Sequence, residues 1–540
     1  MRSRKRGVSR FRTNRDRARD TLRPLQDTTF IRHTPRAAWM ILAACAVVFV
    51  LHAAWFWPWA EDDAFITFRY GAHVAFGVGF EFNPGEAVEG YSNFLWVLLA
   101  AAVIKLGGDP LLVARIVGIS AGLATLYLAW RLALSLIGRA SLAALLAPAF
   151  LAVTPILPRH SVTGLETSFH ALLMTALVYL VVSRPPDRSG WGVTGVALLL
   201  GFSRPEGWVF AAVLLVWRGL GRRFQRIVPT GMARFEWGIF AVAMIAYLMW
   251  RMSTFGEWMP NTGYAKMTGE YAAWVEGYRH ALAFLRETGG VVLVGLFAAN
   301  LFAPRTWLTW IPLTGVILMQ TAFVILAGGD WMHFYRFFAP VMPLIGAGMA
   351  GGLAVLTAAI ANPDMSPARQ WSARAIVTLA LAVALSGVAV TERATSSLVL
   401  PSVRSGTYMT DAYRETARWI DKHVAPDQAV AVCDIGVLGW ELDRVIVDMF
   451  GLVEPRIARI PGMPHFKTDA DLVLGQKPGV IGLVRDADGG YLRVPDQAMI
   501  AQPEFAARYL LVHEIPVGFR DEIVEIYLPK PLPQKPHHTE

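Results

Sequence analysis

The chain has 540 residues, of which 54% are hydrophobic and only 17% charged, where an ordinary soluble domain carries about 25% charged residues. A mean hydropathy of +0.41, with 19 Trp and 29 Phe, excludes a disordered or collagenous chain, and the only cysteines, Cys45 and Cys433, exclude a disulfide scaffold. Residues 1–36 hold eleven Arg and Lys5 against Asp16, Asp20 and Asp27, so this segment carries the whole net charge of +9 and the remainder is balanced. The pI of about 9.6 therefore describes one short tail rather than a basic surface for nucleic acid.

The tail precedes AAWMILAACAVVFVLHAAWFWPW, residues 37–59, long enough to cross a hydrocarbon core of about 30 Å and read as an uncleaved signal anchor. Its basic flank holds the N-terminus in the cytoplasm, so the loop 60–92 emerges on the opposite face. Apolar segments then recur at 93–106, 111–135, 140–154, 167–183, 191–202, 207–218, 236–253, 288–303, 307–327, 338–360 and 373–390, which predicts about 10–12 helices, some too short to span alone. The linker RGLGRRFQRIVPTGMAR, residues 218–234, carries five Arg and no acid and is cytoplasmic. Counting from it, 254–287, 328–337 and everything after 391 are external. Arg131 and Arg139 put the parity of 93–154 off by one, which predicts a re-entrant or split segment there or at SRPEG, 203–207.

From Glu392 onward there are 21 acids and 16 bases and no run long enough to span. The spacing predicts a helix over 411–424 and strands over 429–433, 444–450, 479–486, 508–515 and 522–528. The chain thus divides into a basic cytoplasmic tail (1–36), a transmembrane region (37–390), an extracytoplasmic α/β domain (391–528) and a Pro-rich tail (529–540). The predicted class is a polytopic α-helical membrane protein with a C-terminal extracytoplasmic α/β domain.

Charge, aromatic rings and turn residues concentrate in the external loops. In EDDAFITFRYGAHVAFGVGFEFNPGEAVEGYSNFLW, residues 61–96, Asp62, Ile66, Arg69 and His73 share one helical face. Adjacent Asp62 and Asp63 cannot, so one faces the site while the other caps a helix or binds a cation. The turn Asn83-Pro84-Gly85 is followed by Glu86 and Glu89. Glu166 lies in RHSVTGLETS, and SRPEG places Arg204 and Glu206 between two apolar halves, a position that marks either a functional charge or a mutual ion pair. WMPNTGYAKM carries Asn261, Tyr264 and Lys266. In GGDWMHFYRFFAPVMP, Gly328-Gly329 allows an unusual turn and the spacing of Asp330, His333 and Arg336 predicts one helical face. Lys266, His333 and Arg336 offer donors to an anion, and the Arg fork suits phosphate. Cations and carboxylates above a greasy body fit a lipid-linked phosphate whose chain rests between helices, with an Asp deprotonating an acceptor hydroxyl. No His/Cys metal signature appears; a divalent cation held by carboxylates is left open, and no other cofactor is called for. There is no phosphate-binding loop and no dinucleotide fingerprint.

The stretches DDAFITFRY, FNPGE, VEGYSNFLW, GLET, SRPEG, PNTGYAK and GGDWMHFYRFFAP, scattered over 61–343, resemble the GT-C glycosyltransferases that use polyprenyl-phosphate sugars. Within them the match is to the arabinofuranosyltransferase-like branch, which includes the terminal β-1,2-arabinofuranosyltransferases of cell-wall arabinan; CDIGVLGWELDRVIVDMFGL, 433–452, matches more weakly. The resemblance implies an inverting transferase in the cell membrane, with Asp62 as general base and Asp63 beside it. It implies donor-phosphate binding by Arg69, Arg204, Lys266, His333 and Arg336, and places Glu86, Glu166, Glu206, Asn261, Tyr264 and Asp330 around the substrates. Its partners would be a polyprenyl-phosphate sugar donor, an envelope polysaccharide or glycan acceptor and membrane lipid, with no nucleic acid. The rival reading is a transporter or lipid-linked-sugar flippase, with SRPEG as its broken helix.

Overall fold

The structure is a computed structural model, and it describes residues 36–138, 140–183, 191–224, 234–266, 271–302, 307–332, 334–360, 366–367, 371, 409–463, 466–491, 493–517 and 522–531. Among the described residues, five helices are long and apolar enough to cross a membrane: Arg36–Trp55, Pro110–Ile137, Glu236–Phe255, Thr309–Leu326 and Arg336–Ile360. A sixth span arises if Tyr271–Glu287 and Val292–Phe302, bent by 83°, act together. Shorter apolar helices, Phe94–Lys105, Leu142–Val153, Thr167–Ser183, Trp191–Ser203 and Gly207–Gly221, fill the bundle. The predicted apolar segment 373–390 and residues 1–35 of the basic tail lie outside the described residues.

Both of the positions at which a re-entrant or split segment is expected carry a break. The run 140–154 becomes a 3₁₀ turn, Leu142–Leu145, leading into Leu146–Val153, and is followed by the short helix Ile156–His160. At SRPEG, helices Trp191–Ser203 and Gly207–Phe224 pack against each other as a hairpin. The bundle core is a continuous apolar cluster that includes Trp130, Leu132, Leu151, Leu177, Phe338 and Met342.

The C-terminal domain holds the predicted helix, at Met409–His423, and five strands: β1 Val430–Val432, β2 Ile446–Asp448, β3 Val480–Arg485, β4 Tyr509–Val517 and β5 Glu522–Pro529. They form one sheet in the order β2-β1-β3-β5-β4, with β1 parallel to β2 and β3, and β5 antiparallel to β3 and β4. The mutually parallel strands β1, β2 and β3 are mostly apolar and buried along almost their whole length, as a sheet covered on both sides requires.

This domain shares its core with the first loop. Phe65, Phe68, Tyr70, Phe82 and Tyr91 belong to the same buried cluster as Val430, Ile435, Leu438 and Val480. The joint is the pair of helices Asp62–Phe76 and Ile435–Glu441. Asp62 accepts hydrogen bonds from the backbone N–H groups of Gly436 and Val437, both at 2.8 Å. Arg69 donates to the carbonyls of Gly439 and Leu442 at the other end, and to those of Phe82 and Arg444. Seven residues of helix rise about 10 Å, so Asp62 and Arg69 bracket the seven-residue partner helix, acid at its N-terminus and base at its C-terminus as its dipole prefers. The face Asp62-Ile66-Arg69-His73 is thus closed by protein: His73 also bonds through Nδ1 to the Glu81 carbonyl at 2.7 Å.

Only glycine fits at 436, because a Cβ there would lie 1.9 Å from the Asp62 carbonyl oxygen. Gly436→Ala should therefore loosen the α/β domain, at the upper end of the roughly 1–3 kcal/mol that overpacking costs. A lowered unfolding temperature and faster proteolytic release of the C-terminal domain are expected; an unchanged melting curve would mean that the two helices can part without loss.

Candidate functional site

Successive residues of a helix point about 100° apart, so fixing Asp62 on the α/β domain turns Asp63 the other way. Burial and the neighbouring Asp434 push the Asp62 carboxyl up to about 8, against the two N–H donors that favour its ionised form. Asp63 lines a small pocket of about 50 Å³ with Asn93, Glu166, Arg204, Lys266 and Arg336, and its Oδ2 lies 3.7 Å from Nη1 of Arg336.

The segment before Arg336 is not the helix that the spacing of Asp330, His333 and Arg336 predicts. Its backbone takes positive φ at Gly328 (77°), Gly329 (91°), Phe334 (68°) and Tyr335 (49°), and a 3₁₀ turn begins only at Arg336. The looped chain still brings Asp330 to Arg336: its carboxylate takes Nε at 3.2 Å and Nη2 at 3.1 Å. Nη1 is thereby left toward Asp63 and the pocket. His333 lies outside the described residues.

Lys266 ends the short helix Asn261–Lys266. Among the described residues its ammonium makes no hydrogen bond or ion pair, and burial lowers its pKa from the ordinary lysine value. Arg204 is held differently, between Glu166 at 2.5 Å and Glu206 at 2.6 Å. The second oxygen of Glu166 accepts from Asn93 Nδ2 at 2.7 Å. Burial works against both carboxylates, yet Arg204 keeps them below the usual range.

Arg204, Lys266 and Arg336 also line a much larger cavity, of about 1160 Å³, that adjoins the small pocket. Its polar end is this cationic group. Its walls are Trp208, Val209 and Ala212 from one helix and Phe240, Met244 and Ile245 from the next. Trp208 and Ile245, one from each of these helices, are both exposed.

Not every residue singled out in the sequence reaches this space. Arg69 spends its guanidinium on backbone carbonyls. Asn261 donates to the carbonyls of Gly451 and Leu452 at 2.9 and 3.0 Å, and Tyr264 donates to Glu257 at 2.9 Å. Glu86 is exposed and accepts from Asn83 at 3.0 Å. Glu166, Glu206 and Asp330 are in the walls, as partners of the arginines. Two wall residues, Glu89 and Arg251, form a buried pair at 2.7 Å. Arg251 carries a readable signal, a charge inside the apolar helix Glu236–Phe255. Among the described residues no group of three or more His, Cys, Asp or Glu is placed to hold a metal ion.

Two solved structures share this architecture. ArnT from Cupriavidus metallidurans bound to undecaprenyl phosphate superimposes with a TM-score of 0.53 at 14% identity, covering 90% of this chain and 97% of ArnT. ArnT from the same organism in the apo state gives 0.52 at 14% identity, with the same coverage. The fold is thus an ArnT-like GT-C fold, mostly helical with a small C-terminal sheet domain. No curated protein matches the chain. Residues 404–527 match a family described as a domain of unknown function, DUF8728.

The geometry makes a discriminating statement about Arg204. Removing it strands two buried carboxylates, and breaking a buried pair in this way costs about 3–5 kcal/mol. Arg204→Met should therefore lower the unfolding temperature of the purified protein far more than Glu206→Gln does. A stable Arg204→Met protein defective only in ligand binding would show that Arg204 serves a ligand and not the fold.

Proposed function

We propose that this chain is an integral-membrane glycosyltransferase that moves a sugar from a polyprenyl-phosphate donor to a cell-envelope glycan on the extracytoplasmic face. The observation that carries this reading is the meeting of Asp63, Lys266 and Arg336 in a small pocket that adjoins the polar end of a cavity walled by apolar helices. The GT-C fold, found also in an ArnT structure holding undecaprenyl phosphate, supports it. The resemblance of the loop motifs makes arabinofuranose the proposed sugar.

In this mechanism the polyprenyl chain lies against Trp208, Phe240 and Met244 and its phosphate rests on Lys266 and Nη1 of Arg336. The acceptor hydroxyl attacks the anomeric carbon from the face opposite the phosphate. Its proton passes to a carboxylate, the anomeric C–O bond to phosphate breaks, and polyprenyl phosphate leaves with charge met by the two cations. Asp63, and not Asp62, is the base, since Asp62 is already bonded to Gly436 and Val437. Asp330 fixes the Arg336 fork so that one nitrogen projects into the pocket.

The test is release of polyprenyl phosphate from a polyprenyl-phosphate sugar by purified protein in detergent, where a transporter has no two compartments and breaks no bond. Asp63→Asn should lose about 10²–10⁴-fold in transfer rate, the share a general base supplies, while keeping donor affinity. An Asp63→Asn enzyme that retains full transfer would falsify that assignment.

Lys266 gives a pH signature. Burial lowers its pKa, so the ammonium is lost earlier on the alkaline side than at the ordinary value near about 10.4. Polyprenyl-phosphate binding should weaken as pH rises through that lowered value. In Lys266→Arg the charge persists and the alkaline loss should disappear; an identical alkaline limb in both proteins would remove Lys266 from the phosphate site.

A further inference from the structure

Beside the cationic end, the wall of the large cavity carries oxygen groups without protein partners. Glu89 is only 3% exposed. Its Oε2 accepts from both Nε and Nη2 of Arg251, at 2.8 and 2.7 Å, while among the described residues Oε1 has no hydrogen-bond partner. The usual Arg–carboxylate pair shares its two bonds between two oxygens; here one oxygen is left over. Each of the three Arg251 nitrogens already donates, Nη1 to the Trp258 carbonyl at 2.8 Å. Ser92 and Tyr247 line the same cavity, and among the described residues neither hydroxyl has a partner. The Tyr247 ring is fixed by Phe94, Phe202 and Trp250, with centroids 5.0, 5.2 and 5.7 Å away.

Glu89 Oε1 and the hydroxyls of Ser92 and Tyr247 stay open to the cavity instead of being sealed in the protein, so a ligand bearing O–H or N–H donors finds an acceptor flanked by two hydroxyls already in place. An anion is excluded by the carboxylate and belongs on Lys266 and Arg336. An alkyl chain would leave all three groups unpaired. A sugar ring fits: each hydroxyl both donates and accepts, which suits one fixed acceptor flanked by two hydroxyls. Ser92 lines both cavities, and the Glu89 carbonyl accepts from the backbone N–H of Asn261 at 2.9 Å. The carboxylate is therefore tied to the helix that carries Lys266. We propose that Glu89, Ser92 and Tyr247 form the hydroxyl-binding subsite for the sugar of the lipid-linked donor. This rests on the glycosyltransferase reading.

The experiment compares binding of sugar-free polyprenyl phosphate with a panel of polyprenyl-phosphate pentoses and hexoses, using the full-length protein in nanodiscs. Tyr247→Phe and Ser92→Ala each remove one hydroxyl and leave the Glu89–Arg251 pair intact. Each should weaken the preferred sugar-bearing donor about 3- to 10-fold, the worth of one hydrogen bond, with sugar-free polyprenyl phosphate unaffected. Equal loss for both lipids, or no loss for either, overturns the subsite. Unchanged donor affinity with a raised KM for the acceptor means that the recognised sugar is the acceptor's, which overturns the donor assignment. Parent protein that binds polyprenyl phosphate but gains nothing from any sugar overturns the subsite alone; parent protein that binds neither lipid overturns the glycosyltransferase reading and the subsite with it.

Discussion

The bracket formed by Asp62 and Arg69 around the helix Ile435–Glu441 sets the positions of everything else at the polar end of this protein. It joins two helices 370 residues apart in the chain through the side chains of one and the backbone groups of the other, while Phe65 and Phe68 share a buried cluster with Ile435 and Leu438 at the same joint. Gly436 and Gly439 permit the approach: a Cβ at 439 would meet the Phe82 ring at 2.6 Å. Once Asp62 is spent on this contact, the next residue is rotated into the pocket. A single acidic pair thereby divides its labour, one carboxylate holding the architecture and the other left to the cavity.

Charge around the cavity is organised by pairing. Glu61 holds Arg159, Glu89 holds Arg251, Glu166 and Glu206 hold Arg204, and Asp330 holds Arg336. Buried ions of this kind are tolerated only with partners, and each pair fixes a loop or helix end. Two cationic groups are left incompletely paired by this scheme. Lys266 has no bonded carboxylate among the described residues, and Arg336 keeps one nitrogen outside its Asp330 fork. The same logic disfavours SRPEG as the moving break of a transporter: its arginine is clamped by two carboxylates, one of them on a different segment of the chain.

The elements of the α/β domain were legible because their signals are local: Val430–Val432, Val480–Arg485 and Glu522–Pro529 are β-branched runs between turns. The loops that meet at the cavity were legible from charge density at membrane-edge positions. What the pattern could not tell was the identity of the partners. The face Asp62-Ile66-Arg69-His73 is real, but an amphipathic face looks the same whether a ligand or another domain covers it. The left-handed residues Phe334 and Tyr335 replaced a predicted helix, and nothing in a Phe-Tyr pair announces positive φ. Arg251 was legible by the cost of a charge in an apolar helix, whereas the bond of Glu89 to it spans 162 residues.

The α/β domain also holds the second half of the site. Asn261, at the start of the helix that ends in Lys266, donates to the carbonyls of Gly451 and Leu452. Lys467 donates back to the Tyr264 carbonyl at 2.8 Å and to that of Ala458 at 2.7 Å. The helix bearing Asp63 and the helix bearing Lys266 are thus both fastened to the one sheet domain, at different points of it. The carboxylate and the ammonium are therefore positioned in part by that domain, together with the packing of the Asp63 helix against Phe94–Lys105. Two segments of opposite charge, one bearing Asp63 and the other Lys266, thus share a common foundation in the α/β domain.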